Sequence, residues 1–195
     1  MGRLILVLGG ARSGKSRHAQ ELALQMAQGA PVVYVATGQA GDDEMQARIT
    51  LHRQSRPAHW RTAEVPLEVG DFLRHGQGDA PVVLIDCLTL FVTNHLLQTG
   101  SALHNHAPDS TEQAPMTETW DALPAECAVA DLIEAARGAE ADVVLVSNEV
   151  GLGLVPETPL GRLFRDVAGR ANQQAAAAAG RVVLLVAGLP LTVKE

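Results

Sequence analysis

The sequence predicts an open, mostly parallel α/β sheet with helices on both faces. Two observations predict this fold class. Five short runs of apolar, largely β-branched residues recur along the 195-residue chain, and segments with helical features lie between them. Continuous hydrophobicity is typical of parallel strands that are buried on both faces. Sheets of this kind bind ligands at the carboxyl ends of their strands, so we expect the functional residues there.

The strands and helices alternate along the chain. The predicted strands are residues 4–8, 32–36, 82–85, 143–146 and 182–186. The predicted helices are residues 15–28, 43–56, 67–74, 125–137 and 159–178. Gly29 follows the first helix, Asp42 and Pro57 flank the second, and Thr158 precedes a proline at the start of the last. These residue types are typical of helix ends.

The whole chain, residues 1–195, is predicted to form a single nucleotide-binding domain, because its length suits one core. Residues 100–124 interrupt the alternation: they hold three prolines and several acidic residues, and no lysine or arginine. We expect a flexible insertion on the surface here. A lid over a substrate is the alternative.

Composition argues against several classes of protein. The net charge of −7 and the aromatic content of 3% argue against a nucleic-acid partner, which would need a basic face and stacking rings. No apolar run approaches the roughly 20 residues that span a bilayer, so we expect no membrane span. The two cysteines show no metal-binding or disulfide pattern, which favours the cytoplasm.

Residues 9–16 match the phosphate-loop pattern G-x-x-x-x-G-K-[ST] and directly follow the first predicted strand. The glycines let backbone N–H groups surround phosphate oxygens, and the start of the next helix adds positive potential. Lys15 is predicted to contact the β- and γ-phosphates, and the Ser16 hydroxyl to bind Mg²⁺. The fold is therefore predicted to be of the P-loop NTPase type. The predicted phosphate-binding residues are Gly9, Gly10, Ala11, Arg12, Ser13, Gly14, Lys15 and Ser16.

Asp86 follows four apolar residues, at the end of the third predicted strand. This is the Walker-B pattern, in which the carboxylate holds Mg²⁺ directly or through water. The alternative is an aspartate that caps the next segment. With a phosphate loop upstream, the metal role is favoured.

Residues 48–64 concentrate four arginines, two histidines, a tryptophan and a glutamate. Arg48, His52 and Arg56 are spaced to share one helix face. A cationic face of this kind suits polyphosphate, and a neutral imidazole can attack phosphorus. A solvated basic face is the plainer interpretation, and composition alone does not exclude it.

Two further clusters follow. Residues 147–153 combine polar side chains and glycines directly after the fourth predicted strand, which is typical of a site loop. In the last helix, Asp166 and Arg170 are spaced i, i+4. We expect a structural ion pair between them, with a site or a subunit contact as the alternative.

Seven blocks together resemble the bifunctional adenosylcobinamide kinase / adenosylcobinamide-phosphate guanylyltransferase family of cobalamin biosynthesis. Their order and spacing hold along nearly the whole chain, and the combination is highly specific. The blocks are GGARSGKS at 9–16, VATGQ at 35–39, DDEMQARI at 42–49, HRQSRPAHWRTAE at 52–64, TN at 93–94, SNEVGLGLVPE at 147–157 and FRDVAGRANQ at 164–173.

The resemblance implies two reactions. ATP or GTP first phosphorylates the aminopropanol hydroxyl of adenosylcobinamide. GMP from GTP then passes to adenosylcobinamide phosphate through a covalent guanylyl-histidine. The family's histidine heads the HRxxRP block, which implies that His52 is the nucleophile. The resemblance also implies a cytoplasmic homo-oligomer, a trimer. The further residues that it implies in GTP binding are Thr37, Gly38, Gln39, Arg53, Gln54, Ser55, Arg56, Glu64 and Asp86.

Two other functions remain open from the residues alone. A P-loop kinase of another small metabolite would use the arginine-rich segment only as an anion clamp. A RecA-like, nucleotide-switched binding module would need basic loops for nucleic acid or a partner, and the acidic balance of the chain argues against it.

Overall fold

The protein is described here from a computed structural model, which covers residues 1–39, 50, 53, 56–104 and 120–195. Within these residues, seven strands form one sheet in the order β3-β2-β4-β5-β1-β6-β7. All neighbouring strands are parallel except β6 and β7, which are antiparallel. The predicted fold class is confirmed.

The strands are β1 Leu4–Gly9, β2 Val32–Ala36, β3 Arg61–Glu64, β4 Val82–Asp86, β5 Asp142–Asn148, β6 Arg181–Val186 and β7 Leu189–Lys194. The described helices are α1 Lys15–Ala27, α2 Val69–His75, α3 Leu88–His104, α4 Leu123–Gly138 and α5 Pro159–Ala178. The six parallel strands all end at one edge of the sheet, called the carboxyl edge below.

Alternate residues of the strands enter two separate cores, one on each face of the sheet. On one face, Leu6 and Val33 pack with side chains of α2, α3, α4 and α5. On the other face, Val7 and Tyr34 pack with alanines of α1 and with Trp60. The period of two along each strand therefore places four of the described helices against one face and α1 against the other.

The five predicted strands are all present, and four of the five predicted helices lie within a few residues of their predicted bounds. The predicted cap of the last helix is also confirmed, because the Thr158 hydroxyl accepts a hydrogen bond from the Gly161 N–H at 3.1 Å. The predicted helix 43–56 lies mostly outside the described residues. Thr50 and Arg53 are helical, but Arg56 lies in a bend, so the helix does not extend to residue 56.

Three elements were not predicted. β3 is polar because it is an edge strand that pairs only with β2, and β7 pairs only with β6 at the other edge. α3 buries one face, with Leu88, Phe91 and Val92, but Leu90 and the half-exposed Leu97 lie on the opposite side, so its two faces differ little in polarity. Each therefore lacked the apolar run or the amphipathic period on which the prediction relied.

The predicted insertion at 100–124 is shorter than expected. Residues 100–104 continue α3, and residues 123–124 begin α4. The segment between them, residues 105–119, lies outside the described residues. Among the helices of the described ranges, none is long and apolar enough to cross a membrane.

The centre of the sheet is expected to carry much of the stability. Leu145 of β5 has no exposed surface and packs between β1 and β4. Leu145→Ala should lower the free energy of unfolding by about 2–5 kcal/mol, because it removes buried methyl groups and leaves a cavity. Urea denaturation measures this. Leu123→Ala is the control, because Leu123 is 61% exposed; equal destabilisation by both substitutions would contradict this account of the core.

Candidate active site

The phosphate loop joins β1 to α1. Gly14 has φ = 90°, a left-handed conformation that glycine adopts without strain, and it precedes the first residue of the helix. A side chain at Gly9 would crowd its neighbours, because a Cβ there would meet the Ser13 hydroxyl and lie 3.0 Å from the Leu185 carbonyl oxygen. The first N–H groups of α1 have no acceptor within the helix, so the loop presents donors suited to an anion.

Lys15 turns back over this loop. Its Nζ donates a hydrogen bond to the Gly10 carbonyl at 3.1 Å, in partly buried surroundings. Ser16 follows in the first turn of α1 and is also partly buried. The buried Ser13 hydroxyl has no hydrogen-bond partner within the described part of the chain. A cation, helix N–H groups and this hydroxyl together suit a polyphosphate.

The loop is held on both sides by its neighbours at the carboxyl edge. On one side, the Glu149 N–H after β5 donates to the Gly9 carbonyl at 3.1 Å. On the other, the Gly188 N–H in the β6–β7 turn donates to the Ser13 carbonyl at 3.0 Å. Because β1 lies between β5 and β6, these contacts fix the loop from both directions.

Asp86 ends β4, as predicted, and its carboxylate is oriented by Tyr34. The Tyr34 hydroxyl donates to Asp86 Oδ2 at 2.8 Å, and the ring is 2% exposed. Burial, with the Asp86 charge as the next cause, raises the pKa of Tyr34 well above its usual value. The phenol therefore stays protonated and remains a donor to the carboxylate.

Two arginines of the predicted cationic segment, Arg53 and Arg56, contact residues of β2 and β3. The guanidinium carbon of Arg56 lies 3.4 Å from the centre of the Tyr34 ring, and Arg56 Nη1 donates to the Thr62 hydroxyl at 3.2 Å. Arg56 Nε is buried and has no partner among the described residues. Arg53 forms an ion pair with Glu64, whose backbone ends β3. The Arg56 guanidinium thus lies on the ring whose hydroxyl bonds Asp86, while Glu64 balances the charge of Arg53.

Thr37 is at this edge, but its side chain is already engaged. The buried hydroxyl donates to the Cys87 carbonyl at 2.8 Å and accepts from the Cys87 N–H at 2.7 Å. Asn94 of α3 donates to the Thr37 carbonyl at 2.8 Å. Thr37 therefore holds the ends of β2 and β4 together. Of the next two residues, Gly38 is partly buried and Gln39 is exposed, so they are available to a ligand.

Cys87 is buried beside Asp86 and is not a candidate nucleophile. Burial, followed by the charge of Asp86, raises the pKa of Cys87 to about 11. The thiol is therefore neutral near pH 7, and only the thiolate is strongly nucleophilic.

A network of amides and hydroxyls, which the sequence analysis missed, supports the edge next to the phosphate loop. Asn148, the last residue of β5, donates from Nδ2 to the Thr89 hydroxyl at 2.8 Å. Asn172 of α5 donates to the Asn148 carbonyl at 3.0 Å and accepts from the Ser147 hydroxyl at 2.6 Å. Asn148 lies in the block at 147–153 and Asn172 in the block at 164–173. The sequence therefore indicated both residues, but it did not predict the hydrogen bond between them.

The predicted ion pair between Asp166 and Arg170 is not formed. Arg170 instead bonds Glu126 of α4, with 2.6 Å between Nη2 and Oε1, and Asp166 lies 3.6 Å from Arg165 Nε. Helical spacing permits the predicted pair, but the packing of α5 against α4 supplies a better-placed carboxylate.

The carboxyl edge thus brings together the predicted residues 9–16, 37–39 and 86, with Arg53, Arg56 and Glu64 beside them. His52, Gln54, Ser55 and Arg48 lie outside the described residues, so their predicted roles stay predictions. Ser16 and Asp86 offer a hydroxyl and a carboxylate, the oxygen donors that Mg²⁺ prefers when phosphates and water complete its shell. Within the described ranges, no group of three or more His, Cys, Asp or Glu side chains is placed to hold a metal ion.

The fold is similar over the whole chain to that of a solved structure from an archaeon. It is flagellar accessory protein FlaH from Methanocaldococcus jannaschii, with a TM-score of 0.51, 14% identity and coverage of 100% of this chain and 79% of that one. At this identity the likeness concerns the fold alone.

Three curated relatives are similar along almost their full length. Bifunctional adenosylcobalamin biosynthesis protein CobU of Escherichia coli (strain K12) is 47% identical over 191 residues, covering 98% of this chain and 99% of the relative. CobU of Salmonella typhimurium is 46% identical over 195 residues, covering 98% of this chain and 99% of the relative. Bifunctional adenosylcobalamin biosynthesis protein CobP of Pseudomonas aeruginosa is 42% identical over 189 residues, covering 97% of this chain and 96% of the relative.

The family profile described as cobinamide kinase / cobinamide phosphate guanyltransferase matches residues 5–193. This match spans the phosphate loop, Asp86 and the network around Asn148. The family to which the motifs pointed is therefore confirmed, and this chain belongs to the cobinamide kinase / cobinamide phosphate guanyltransferase family.

Proposed function

We propose that this chain phosphorylates adenosylcobinamide and then transfers GMP from GTP to the resulting adenosylcobinamide phosphate. The observation that carries the proposal is the phosphate loop held between β5 and β6, with Asp86 two strands away at the same edge. Membership of the family supplies the reaction class and the acceptor.

In the kinase step, the acceptor hydroxyl attacks the γ-phosphorus of ATP or GTP. A new P–O bond forms to the acceptor, whose hydroxyl proton passes to water. The bond between the γ-phosphorus and its bridging oxygen breaks, and the nucleoside diphosphate leaves. The loop N–H groups and Lys15 neutralise the charge on the phosphate oxygens. Positioning and charge neutralisation account for most of the catalysis in such a transfer, so the step needs no strong side-chain base.

We assign Ser16 and Asp86 as the protein ligands of Mg²⁺. The ion, when bound, would neutralise the charge that develops between the transferred phosphoryl group and the leaving group. Tyr34 acts on this site through Asp86, because its hydroxyl fixes one carboxylate oxygen at 2.8 Å. Arg56 packs on the Tyr34 ring and so connects the arginine-rich segment to the same carboxylate.

In the guanylyl step, we propose that a neutral nitrogen of His52 attacks the α-phosphorus of GTP and expels pyrophosphate. The phosphate of the acceptor then displaces the histidine and takes the GMP. The covalent intermediate divides one difficult transfer into two easier ones. Support comes from the residues beside His52 in the sequence: Arg53 is paired with Glu64, and Arg56 is stacked on Tyr34, both at the carboxyl edge.

We further propose a homo-oligomer, a trimer, that works in the cytoplasm. The resemblance to the family supports both statements. The two cysteines, one buried and one exposed, are free, as expected in a reducing compartment.

Lys15→Ala should lower kinase turnover by about a hundredfold or more, because it removes a cation aimed at the transferred phosphate. The chain has one other lysine, Lys194, which bonds the carbonyls of Ala176 and Ala177 near the end of α5. Lys194→Ala is therefore the matched control and should keep wild-type turnover. The rate of adenosylcobinamide phosphorylation is measured for both variants. Equal rates for Lys15→Ala and the wild type would show that the phosphate loop has no part in the reaction.

His52→Ala should abolish transfer of label from α-labelled GTP to the protein while kinase turnover survives. His59→Ala is the control, since that histidine is exposed in a turn and should leave labelling intact. In the wild type, labelling should decline as the pH falls, because only a neutral imidazole has a lone pair for the attack. Undiminished labelling of His52→Ala would place the nucleophile on another residue.

Tyr34→Phe should lower kcat of the kinase step by about tenfold and raise the Mg²⁺ concentration needed for half-maximal rate. Loss of one hydrogen bond to a charged group is worth about 1.5 kcal/mol, which corresponds to that factor. The ring that Arg56 covers is retained, so nucleotide binding without Mg²⁺ should not change. An unaltered Mg²⁺ dependence would show that the Tyr34 hydroxyl does not orient the Asp86 carboxylate for the ion.

A further inference from the structure

Two apolar surfaces border the phosphate loop, and no residue of either has a role in the steps above. The first is the loop between β5 and α5, here called the 150–156 loop. Leu152 is 87% exposed, Leu154 is 96% exposed and Val155 is 63% exposed. Leucines this exposed, clustered beside a site, are unusual on a surface that faces only water, and such clusters mark binding surfaces.

The backbone of the 150–156 loop is held at both ends. At its start, the Glu149 N–H bonds the Gly9 carbonyl, and Glu149 Oε1 accepts from the Gly151 N–H at 2.7 Å. At its end, Arg162 donates to the carbonyls of Pro156 at 3.1 Å and Glu157 at 2.7 Å. The leucines are therefore presented to solvent by a supported backbone.

The second surface lies on the other side of the phosphate loop. It is the β6–β7 turn, residues 186–189, whose central residues Ala187 and Gly188 both have positive φ. Val186 is 55% exposed and Leu189 is 72% exposed. The bond from the Gly188 N–H to the Ser13 carbonyl fixes this turn against the phosphate loop. Thus the loop that holds the triphosphate lies between two exposed apolar surfaces.

We infer that the 150–156 loop and the β6–β7 turn dock the corrinoid macrocycle of the acceptor, an inference that rests on the proposed function. The acceptor hydroxyl must reach the γ-phosphate over the phosphate loop, so the remainder of this large molecule has to lie on the surface around that loop. A corrin ring carries a dense edge of methyl groups, which suits leucine and valine side chains.

Charge agrees with this assignment. Residues 149–157 carry two acidic side chains, Glu149 and Glu157. One cation lies against them, Arg162 on the carbonyls of Pro156 and Glu157, so negative charge remains in excess. An alkylcobalt corrin unit carries a net positive charge, which acidic neighbours attract. A nucleotide, which is strongly anionic, would be disfavoured on the same surface and is held by Lys15 and the helix N–H groups instead.

The test uses the double variant Leu152→Ser/Leu154→Ser in the full chain, and Leu189→Ser for the second surface. Val193→Ser is the matched control, because Val193 is also exposed, at 61%, but lies at the far end of β7 where that strand pairs with the start of β6. Equilibrium dialysis of adenosylcobinamide, followed by corrin absorbance, gives the dissociation constant of the acceptor. Calorimetry with GTP gives that of the nucleotide, and light scattering gives the oligomeric state.

The double variant should bind adenosylcobinamide at least about tenfold more weakly, because two leucines would no longer be buried against it. Leu189→Ser should also weaken acceptor binding, whereas Val193→Ser should bind like the wild type. GTP binding and oligomeric state should not change in any of the three variants.

Unchanged acceptor binding in the double variant would overturn the inference. So would a loss of oligomers or of GTP affinity on the same scale, since the leucines would then be covered by a second copy or would serve the nucleotide site. A different result would refute the proposed function. If the wild type bound adenosylcobinamide through these leucines but did not phosphorylate it, the kinase activity would be refuted and the docking surface supported.

Discussion

The site depends on the position of β1 between β5 and β6. This strand order places the phosphate loop between two segments whose backbone N–H groups bond its carbonyls, from Glu149 to Gly9 and from Gly188 to Ser13. A loop rich in glycine would otherwise sample many conformations, at a cost in binding free energy. The two contacts restrict the loop before a ligand arrives, and they also place two exposed apolar surfaces beside it.

A second constraint acts across the sheet, where Tyr34, Asp86 and Arg56 form one contiguous group. The buried phenol fixes the carboxylate, and the guanidinium packs on the ring. Burial keeps the phenol protonated, and therefore a donor. The segment proposed to carry the guanylylated histidine is thus connected to the carboxylate proposed to hold Mg²⁺. This arrangement explains how one phosphate-binding edge could serve both a phosphoryl and a guanylyl transfer.

The sequence was most informative where a local pattern has a local physical cause. The phosphate loop, the strand that ends at Asp86 and the Thr158 cap were predicted because each depends on residues close together in the chain. Edge strands β3 and β7 were missed because a strand with one neighbour need not be continuously apolar. Helix α3 was missed because Leu90 and Leu97, opposite its buried face, weaken the contrast between an apolar and a polar side. Contacts between segments distant in sequence could not be predicted: Arg170 pairs with Glu126 rather than Asp166, and Tyr34 of β2 bonds Asp86 of the neighbouring strand β4.

A crystal structure of the chain with Mg²⁺ and a non-hydrolysable GTP analogue tests the phosphate loop most directly. We expect the phosphates to occupy the loop of residues 9–16, Lys15 Nζ to leave the Gly10 carbonyl for a phosphate oxygen, and Asp86 to face the ion directly or through water. A triphosphate bound away from this loop, with the Lys15–Gly10 contact intact, would contradict this expectation.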